Sequence, residues 1–334
     1  LRNSGAPPIP RVTEAQAGLT VAAWIRELLP GTSWSRAKEL CAEGRVRVDG
    51  HAETDPAARL RAGERVEIQE GGPAPRVEER HRLVVHLDAD VVVVRKPAGL
   101  LTVPFERDDR DTLLALARVA VRRLEAKSGK GKSPTLRAVQ RLDKETSGLV
   151  VFARTVPAQR DLQEQLHART VIRRYVALVH GEARDAVYAT RLLADRGDGL
   201  RGSWGVFRRA TGEPPAEARE AITRVKVEER LAGATRVTCE LETGRQHQIR
   251  IHLAEAGHPL LGETLYIRGF RGPVLPALPA PRPMLHAAVL GFVHPRTGKR
   301  LRFEEPPPED FAAVLARLRK RRGRTETPPQ TARD

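Results

Sequence analysis

Apolar positions recur with helical spacing over residues 19–29, stop at Pro30-Gly31, and resume in a second stretch that Ser33 can cap and Gly44 can end. Two short helices set at an angle are predicted. Beyond them Val46 and Val48 alternate with Arg45 and Arg47, Asp49-Gly50 supplies a hairpin turn, and residues 65–68 add another short strand. These elements predict a small module over residues 17–72. A Pro- and Gly-bearing arm without periodicity precedes it at 1–16.

The run Gly71-Gly72-Pro73-Ala74-Pro75 reads as the entry to a linker over 73–81, after which a larger domain is expected at 82–315. Its opening pattern, LVVHL followed by VVVVRKPAG, predicts strands. A helix near 112–126, a basic Gly-rich loop, a strand at 148–154, a helix near 157–168 and a strand at 171–179 follow, with further strands after 220. Strand and helix alternate, so the fold class expected is α+β, a large mixed, mainly antiparallel sheet flanked by helices, joined to the small N-terminal α/β module. Residues 316–334 carry Arg317, Arg319, Lys320, Arg321, Arg322 and Arg324 ahead of TETPPQTARD. They are expected to form a helix end that frays into a basic, disordered tail, which attracts RNA without specificity.

Composition narrows the partners. No apolar run approaches the roughly 18 to 20 residues needed to span a bilayer, and the first residues lack the apolar stretch of a secretory signal, which predicts a cytoplasmic chain with no membrane partner. Cys41 and Cys239 are far apart and belong to no metal-binding pattern, so both are expected to be buried fillers. The formal charge of +16 points to polyphosphate ligands, nucleic acid first among them. Residues 1–72 hold ten basic and ten acidic side chains, so that excess lies elsewhere in the chain.

Two phosphate-chemistry readings fail on spacing. In SGKGKSPT (128–135) the first glycine of a phosphate loop would fall at Ala126, and a helix rather than a strand precedes it. In Asp143-Lys144-Glu145-Thr146 an aspartyl-phosphate motif would need a second aspartate where Glu145 stands, after a buried strand rather than Ala138-Val139-Gln140-Arg141.

Residues 140–155, QRLDKETSGLVVFART, instead closely resemble the catalytic motif of the RluA family of RNA pseudouridine synthases. VVVVRKPAGLLTVP (91–104), RRYVALVHG (173–181), TGRQHQIRIHLAEAGHPLLGE (243–263) and MLHAAVLGFVHPRTG (284–298) support the resemblance in the family's order. Gln140 departs from the histidine common among relatives without touching the Arg-Leu-Asp core. In the N-terminal module, SWSRAKELCAEGRVRVDG (33–50) and LRAGERVEI (60–68) resemble the alpha-L RNA-binding domain first described in a small-subunit ribosomal protein. That likeness implies that Ser35, Arg36, Lys38, Arg45 and Arg47 face RNA phosphates.

Pseudouridine formation breaks the bond between ribose and the base nitrogen, turns the freed uracil, and rejoins it through carbon 5. It needs one carboxylate and a dry pocket that retains the base, and no metal or organic cofactor. The resemblance assigns the carboxylate to Asp143, its counter-ion to Arg250, the ring that stacks on the flipped uridine to Tyr175, and the wedge that fills the vacated stack to Arg141. Ile249 and Leu253 share an apolar stripe ended by Gly257, which predicts that Arg250 projects from a helix. His247 and His252, five apart, do not share a face and are not expected to bind metal. Lys96 and Pro97 are expected to shape the domain. The partner expected is RNA, large-subunit ribosomal RNA ahead of transfer RNA, acted on by a monomer with no obligate protein partner. The rival reading is a non-catalytic RNA-binding or ribosome-assembly factor.

Overall fold

Helix α1 (Val21–Leu28) begins where Thr20 Oγ1 accepts the Ala23 N–H at 3.2 Å, and α2 (Trp34–Ala42) where Ser33 Oγ accepts that of Arg36 at 3.1 Å. Ser33 thus takes the capping role its position implies. The computed structural model describes residues 10–42, 45–49, 51–53, 56–68, 83–105, 112–126, 135–207, 212–267 and 277–325. Most of the expected arm, Gly44, Gly50, the linker at 73–81, the Gly-Lys loop at 127–134 and the last nine residues lie outside these ranges.

The chain divides into two compact units, Leu1–Arg82 and Leu83–Asp334. In the first, β1 (Val46–Val48) pairs antiparallel with both β2 (His51–Ala52) and β3 (Val66–Ile68). Val46 turns inward to join Trp24, Ile25, Leu40 and Val66, while Arg47 stays exposed, as strand alternation requires. Asp49 takes the left-handed conformation at φ 48° and its Oδ1 accepts the Arg65 N–H at 2.9 Å, so one side chain ties the turn to the third strand.

The second unit is built on eleven strands: β4 (Val84–Leu87), β5 (Val91–Lys96), β6 (Arg137–Ala138), β7 (Ser147–Ala153), β8 (Ile172–His180), β9 (Ala186–Leu193), β10 (Gly202–Ser203), β11 (Arg219–Leu231), β12 (Ala234–Leu241), β13 (Leu285–Val293) and β14 (Arg300–Glu304). Their order is β10-β9-β11-β12-β8-β13-β7-β5-β4, with β14 beside β13 and β6 beside β7. Pairing is antiparallel except between β7 and β13. That contact is close: a Cβ on Gly148, whose φ is +120°, would lie 2.2 Å from the Ala287 carbonyl oxygen.

Helices cover both faces of the central strands, which explains why β7 is buried along its whole length and apolar from Leu149 to Ala153 rather than alternating. Leu113, Ala117 and Val121 of α3 (Leu113–Ala126) pack with Val150 and Phe152 on one face. Ala158 and Leu162 of α4 (Val156–His167) pack with Leu149, Val151 and Phe292 on the other. Helix α5 (Gln248–Glu255) sends Ile249 and Leu253 into the first cluster, and Gly257 follows at φ +88°, the left-handed stop its sequence implies. Helix α6 (Glu309–Thr325) buries Phe311, Val314 and Leu318 against Val176, Leu178 and Met284. The helix end expected beyond 315 runs on to Thr325, so the boundary drawn at 315 falls inside a helix. Leu318 continues its apolar stripe beneath the arginines.

Candidate active site

The loop from β6 to β7 is held from behind before any side chain reaches the cleft. Thr102 Oγ1 accepts the Leu142 N–H at 3.0 Å and donates to the Leu142 carbonyl at 2.8 Å, pinning the residue next to Asp143. Lys96, 2% exposed, donates to the carbonyls of Pro97 at 3.0 Å, Lys144 at 2.7 Å and Thr146 at 2.8 Å. Burial pushes the Lys96 amine down to about 7, while three oxygens facing three N–H groups suit the ammonium form. Within this cradle the Thr146 N–H closes a turn on the Asp143 carbonyl at 3.1 Å. The Asp143 carboxylate faces a cleft of about 740 Å³ that Arg141, Tyr175, His247 and Arg250 also line.

Two nitrogen donors approach Asp143 without gripping it: His247 Nε2 lies 3.8 Å from Oδ1 and the Arg250 guanidinium Nη1 3.8 Å from Oδ2. Arg250 is held elsewhere. Its Nε and Nη2 donate to Glu263 at 2.8 and 2.7 Å, and the Glu263 side chain is wholly buried. Burial alone would raise the Glu263 carboxyl, but the two bonds and the charge of Arg250, with the N–H groups of Leu265 and Tyr266, hold it below the ordinary carboxylate range. Arg250 is correspondingly held above its ordinary value despite burial.

His247 occupies a left-handed conformation, φ 59°, at the N-cap of α5, and its Nδ1 pairs with Tyr266 Oη at 2.7 Å. Burial keeps the imidazole below its usual pKa, against the pull of Asp143. Gln248 braces the loop that sets this conformation. Its Oε1 accepts from Thr243 Oγ1 at 2.8 Å and Arg245 N at 3.0 Å, and its Nε2 donates to Ile222 O at 3.0 Å. Tyr175 sits on β8 opposite Cys239 and Ala287, 8% exposed, and burial pushes its phenol up to about 12, so it is neutral at ordinary pH.

The structure therefore brings Asp143, Tyr175, Arg250 and Arg141 to one cleft, Arg141 at its exposed rim. Ser35, Arg36 and Lys38 lie on the exposed side of α2, Arg36 paired with Glu39 at 3.3 Å, and Arg47 is exposed on β1 with Arg45 half-buried just before it.

Residues 90–255 match the RNA pseudouridylate synthase family and residues 21–66 match the S4 domain. A protein named ribosomal large subunit pseudouridine synthase D from Vibrio parahaemolyticus is 32% identical over 92% of this chain and 94% of its own. One of the same name from Neisseria meningitidis is 36% identical over 92% of this chain and 83% of its own. The chain belongs to the RNA pseudouridylate synthase family. It is an isomerase that acts on RNA. The fold agrees with that of human RNA pseudouridylate synthase domain containing 4, which aligns with a TM-score of 0.57 at 22% identity over 72% of this chain and 95% of that one.

Within this family member, sequence reasoning passed over Glu263, His247, Tyr266 and Thr102. Glu263 left one trace, an acidic residue ending the apolar run Pro259-Leu260-Leu261-Gly262, where an unpaired carboxylate would be out of place. His247 was judged only against metal binding, and nothing local marks its left-handed backbone. Lys96 is structural, as expected, but its task is specific: it fixes the turn that carries Asp143.

Proposed function

We propose that this enzyme converts uridine to pseudouridine in large-subunit ribosomal RNA, with Asp143 as the carboxylate that acts on the flipped nucleotide. The observation that carries the reading is the cleft itself: one half-buried carboxylate faces a clamped arginine at 3.8 Å, beside a neutral buried tyrosine. In the proposed reaction the C1′–N1 bond breaks, the uracil turns while the cleft retains it, and a C1′–C5 bond forms. The proton on carbon 5 leaves and N1 gains one, so atoms balance without redox chemistry. Asp143 attacks or deprotonates the nucleotide, Arg250 faces its carboxylate as counter-ion, Tyr175 stacks on the base and Arg141 fills the space the base vacated.

The RNA target is proposed from the relatives named for the large ribosomal subunit, and the cytoplasm and a monomeric state go with it. The expected arm, linker and basic tail are proposed boundaries of this layout, the tail now beginning after α6. Ser35, Arg36, Lys38, Arg45 and Arg47 are proposed to hold RNA phosphates and so to set the register of the catalytic unit on its substrate.

The test is tritium release from transcripts carrying uridine labelled at carbon 5, with large-subunit ribosomal RNA and transfer RNA in separate arms. Release from the ribosomal transcript by wild type and none by Asp143→Asn is expected. Equal release by both proteins would remove Asp143 from the chemistry, and release confined to transfer RNA would move the target.

A further inference from the structure

Three arginines are buried among the described residues: Arg173, Arg250 and Arg282. Two of them hold a carboxylate with two bonds. Arg250 grips Glu263, and Arg282 grips Asp310 at 2.6 and 3.0 Å. Arg173 does not. Among the described residues no carboxylate comes within 4.0 Å of its guanidinium, and only Nη2 is engaged, donating to the carbonyls of Leu241 at 3.2 Å and Glu242 at 3.0 Å. Nε is buried with no acceptor. Nη1 also has none and lies over Gly244, where an added Cβ would meet it at 2.6 Å.

A guanidinium does not lose its proton in a protein, so Arg173 is a buried cation left without a counter-charge. The carboxylates that line the same cleft are already faced by other cations: Asp143 by Arg250 at 3.8 Å, and Glu242 by Arg224 at 2.6 Å and Arg169 at 3.6 Å. Arg173 stands two residues before Tyr175 on one face of β8, roughly 6 to 7 Å along the strand, and both line the cleft. A phosphodiester linkage lies at about that remove from the base it carries.

We propose that Arg173 is the receptor for the phosphodiester that flanks the uridine held at Tyr175, so that the RNA backbone supplies the anion the protein omits. The carbonyls of Leu241 and Glu242 fix the guanidinium through Nη2, and the absence of a side chain at Gly244 leaves the Nη1 edge uncovered. This subsite rests on the substrate reading above.

The experiment compares wild type, Arg173→Gln and Arg173→Lys for binding to an unmodified large-subunit ribosomal RNA transcript across a range of salt. Arg173→Gln is expected to bind about tenfold more weakly at low salt and to lower the slope of log Kd against log salt by about 0.7 to 0.9, one phosphate contact, while Arg173→Lys keeps the slope. A purely structural brace for β12 would change melting temperature and leave the slope alone. Wild type alone supplies a second measurement, on a synthetic stem-loop of that RNA whose single labelled uridine releases tritium, with a neutral methylphosphonate at the linkage 5′ or 3′ to it. One of these substitutions is expected to reproduce the slope change. An unchanged slope in Arg173→Gln, or in both methylphosphonate RNAs, overturns the subsite. Absence of tritium release by wild type would instead overturn the substrate reading, and the slope comparison still judges Arg173 on any RNA the protein binds.

Discussion

Glu263 holds Arg250 at 2.7 and 2.8 Å, while Asp143, the carboxylate Arg250 faces across the cleft, stays 3.8 Å away. The tight pair fixes the guanidinium and the loose one leaves Asp143 able to move toward a substrate. Glu263→Gln removes the charge that anchors Arg250. It is expected to slow tritium release about a hundredfold, the scale of losing one oriented electrostatic group, and to lower stability by about 3 kcal/mol because a buried cation is left unpaired. Glu263→Asp should recover part of both. Rates and urea unfolding measured on the same preparations check this, and a wild-type rate in Glu263→Gln would rule out a positioning role.

Lys96→Met keeps the length of the side chain and removes the donor shared by the carbonyls of Pro97, Lys144 and Thr146, of which that of Lys144 keeps the Gly99 N–H at 2.9 Å. The Thr146 carbonyl beside the turn that carries Asp143 then loses its buried bond, and a loss of about 2 to 4 kcal/mol is expected in urea unfolding. The rate of tritium release should fall with it, because the Asp143 carboxylate is positioned through that turn.

Gly148 and Gly257 both take left-handed backbone, yet their surroundings differ. A Cβ at 148 would meet Ala287 backbone oxygen at 2.2 Å, whereas one at 257 meets nothing within 4 Å. Gly257→Ala is expected to cost about 1 kcal/mol, the conformational penalty alone. Gly148→Ala should cost more than about 3 kcal/mol, since β7 and β13 must separate to admit it. Thermal melting of the two variants side by side reads the difference.

His252 and His286 lie in polar pockets too closed to admit a charge, and burial pushes both down to about 4 from an ordinary 6.5. His252 bonds Thr223 Oγ1 at 2.8 Å and Thr190 Oγ1 at 2.9 Å, and His286 bonds Ser147 Oγ at 2.9 Å. Below pH 6.5 the unfolded chain takes up two protons that the folded chain refuses, so stability falls with pH down to about 4 and levels off once the folded imidazoles titrate. The decline should approach about 3 kcal/mol per pH unit within that window, two protons at about 1.4 each. Urea midpoints at pH 7, 6 and 5 measure it, and a flat series would show that these histidines titrate normally.

What the sequence made legible was whatever local pattern determines. Ser33 capping α2, the stripe of Ile249 and Leu253, and the apolar run of β7 each follow from neighbours a few positions apart. The cleft was legible through motif likeness: Asp143, Tyr175 and Arg250 do converge. Arg250 was expected to answer chiefly to Asp143, and Glu263, 13 residues on and brought back by a tertiary turn, takes it instead. The basic end of the chain was legible only in part. A fraying helix end was expected from 317 to 324, and the length of that helix follows from Phe311, Val314 and Leu318, which give it a buried stripe to hold.

Strand β13 lies between β7 and β8, although it follows both by more than a hundred residues. A nascent chain that has released Asp143, Tyr175, Arg250 and Glu263 still lacks the strand that sets the spacing between the Asp143 and Tyr175 segments. The cleft is therefore completed only once β13 has emerged, and a chain that stops short of Leu285 lacks the strand that sets its spacing.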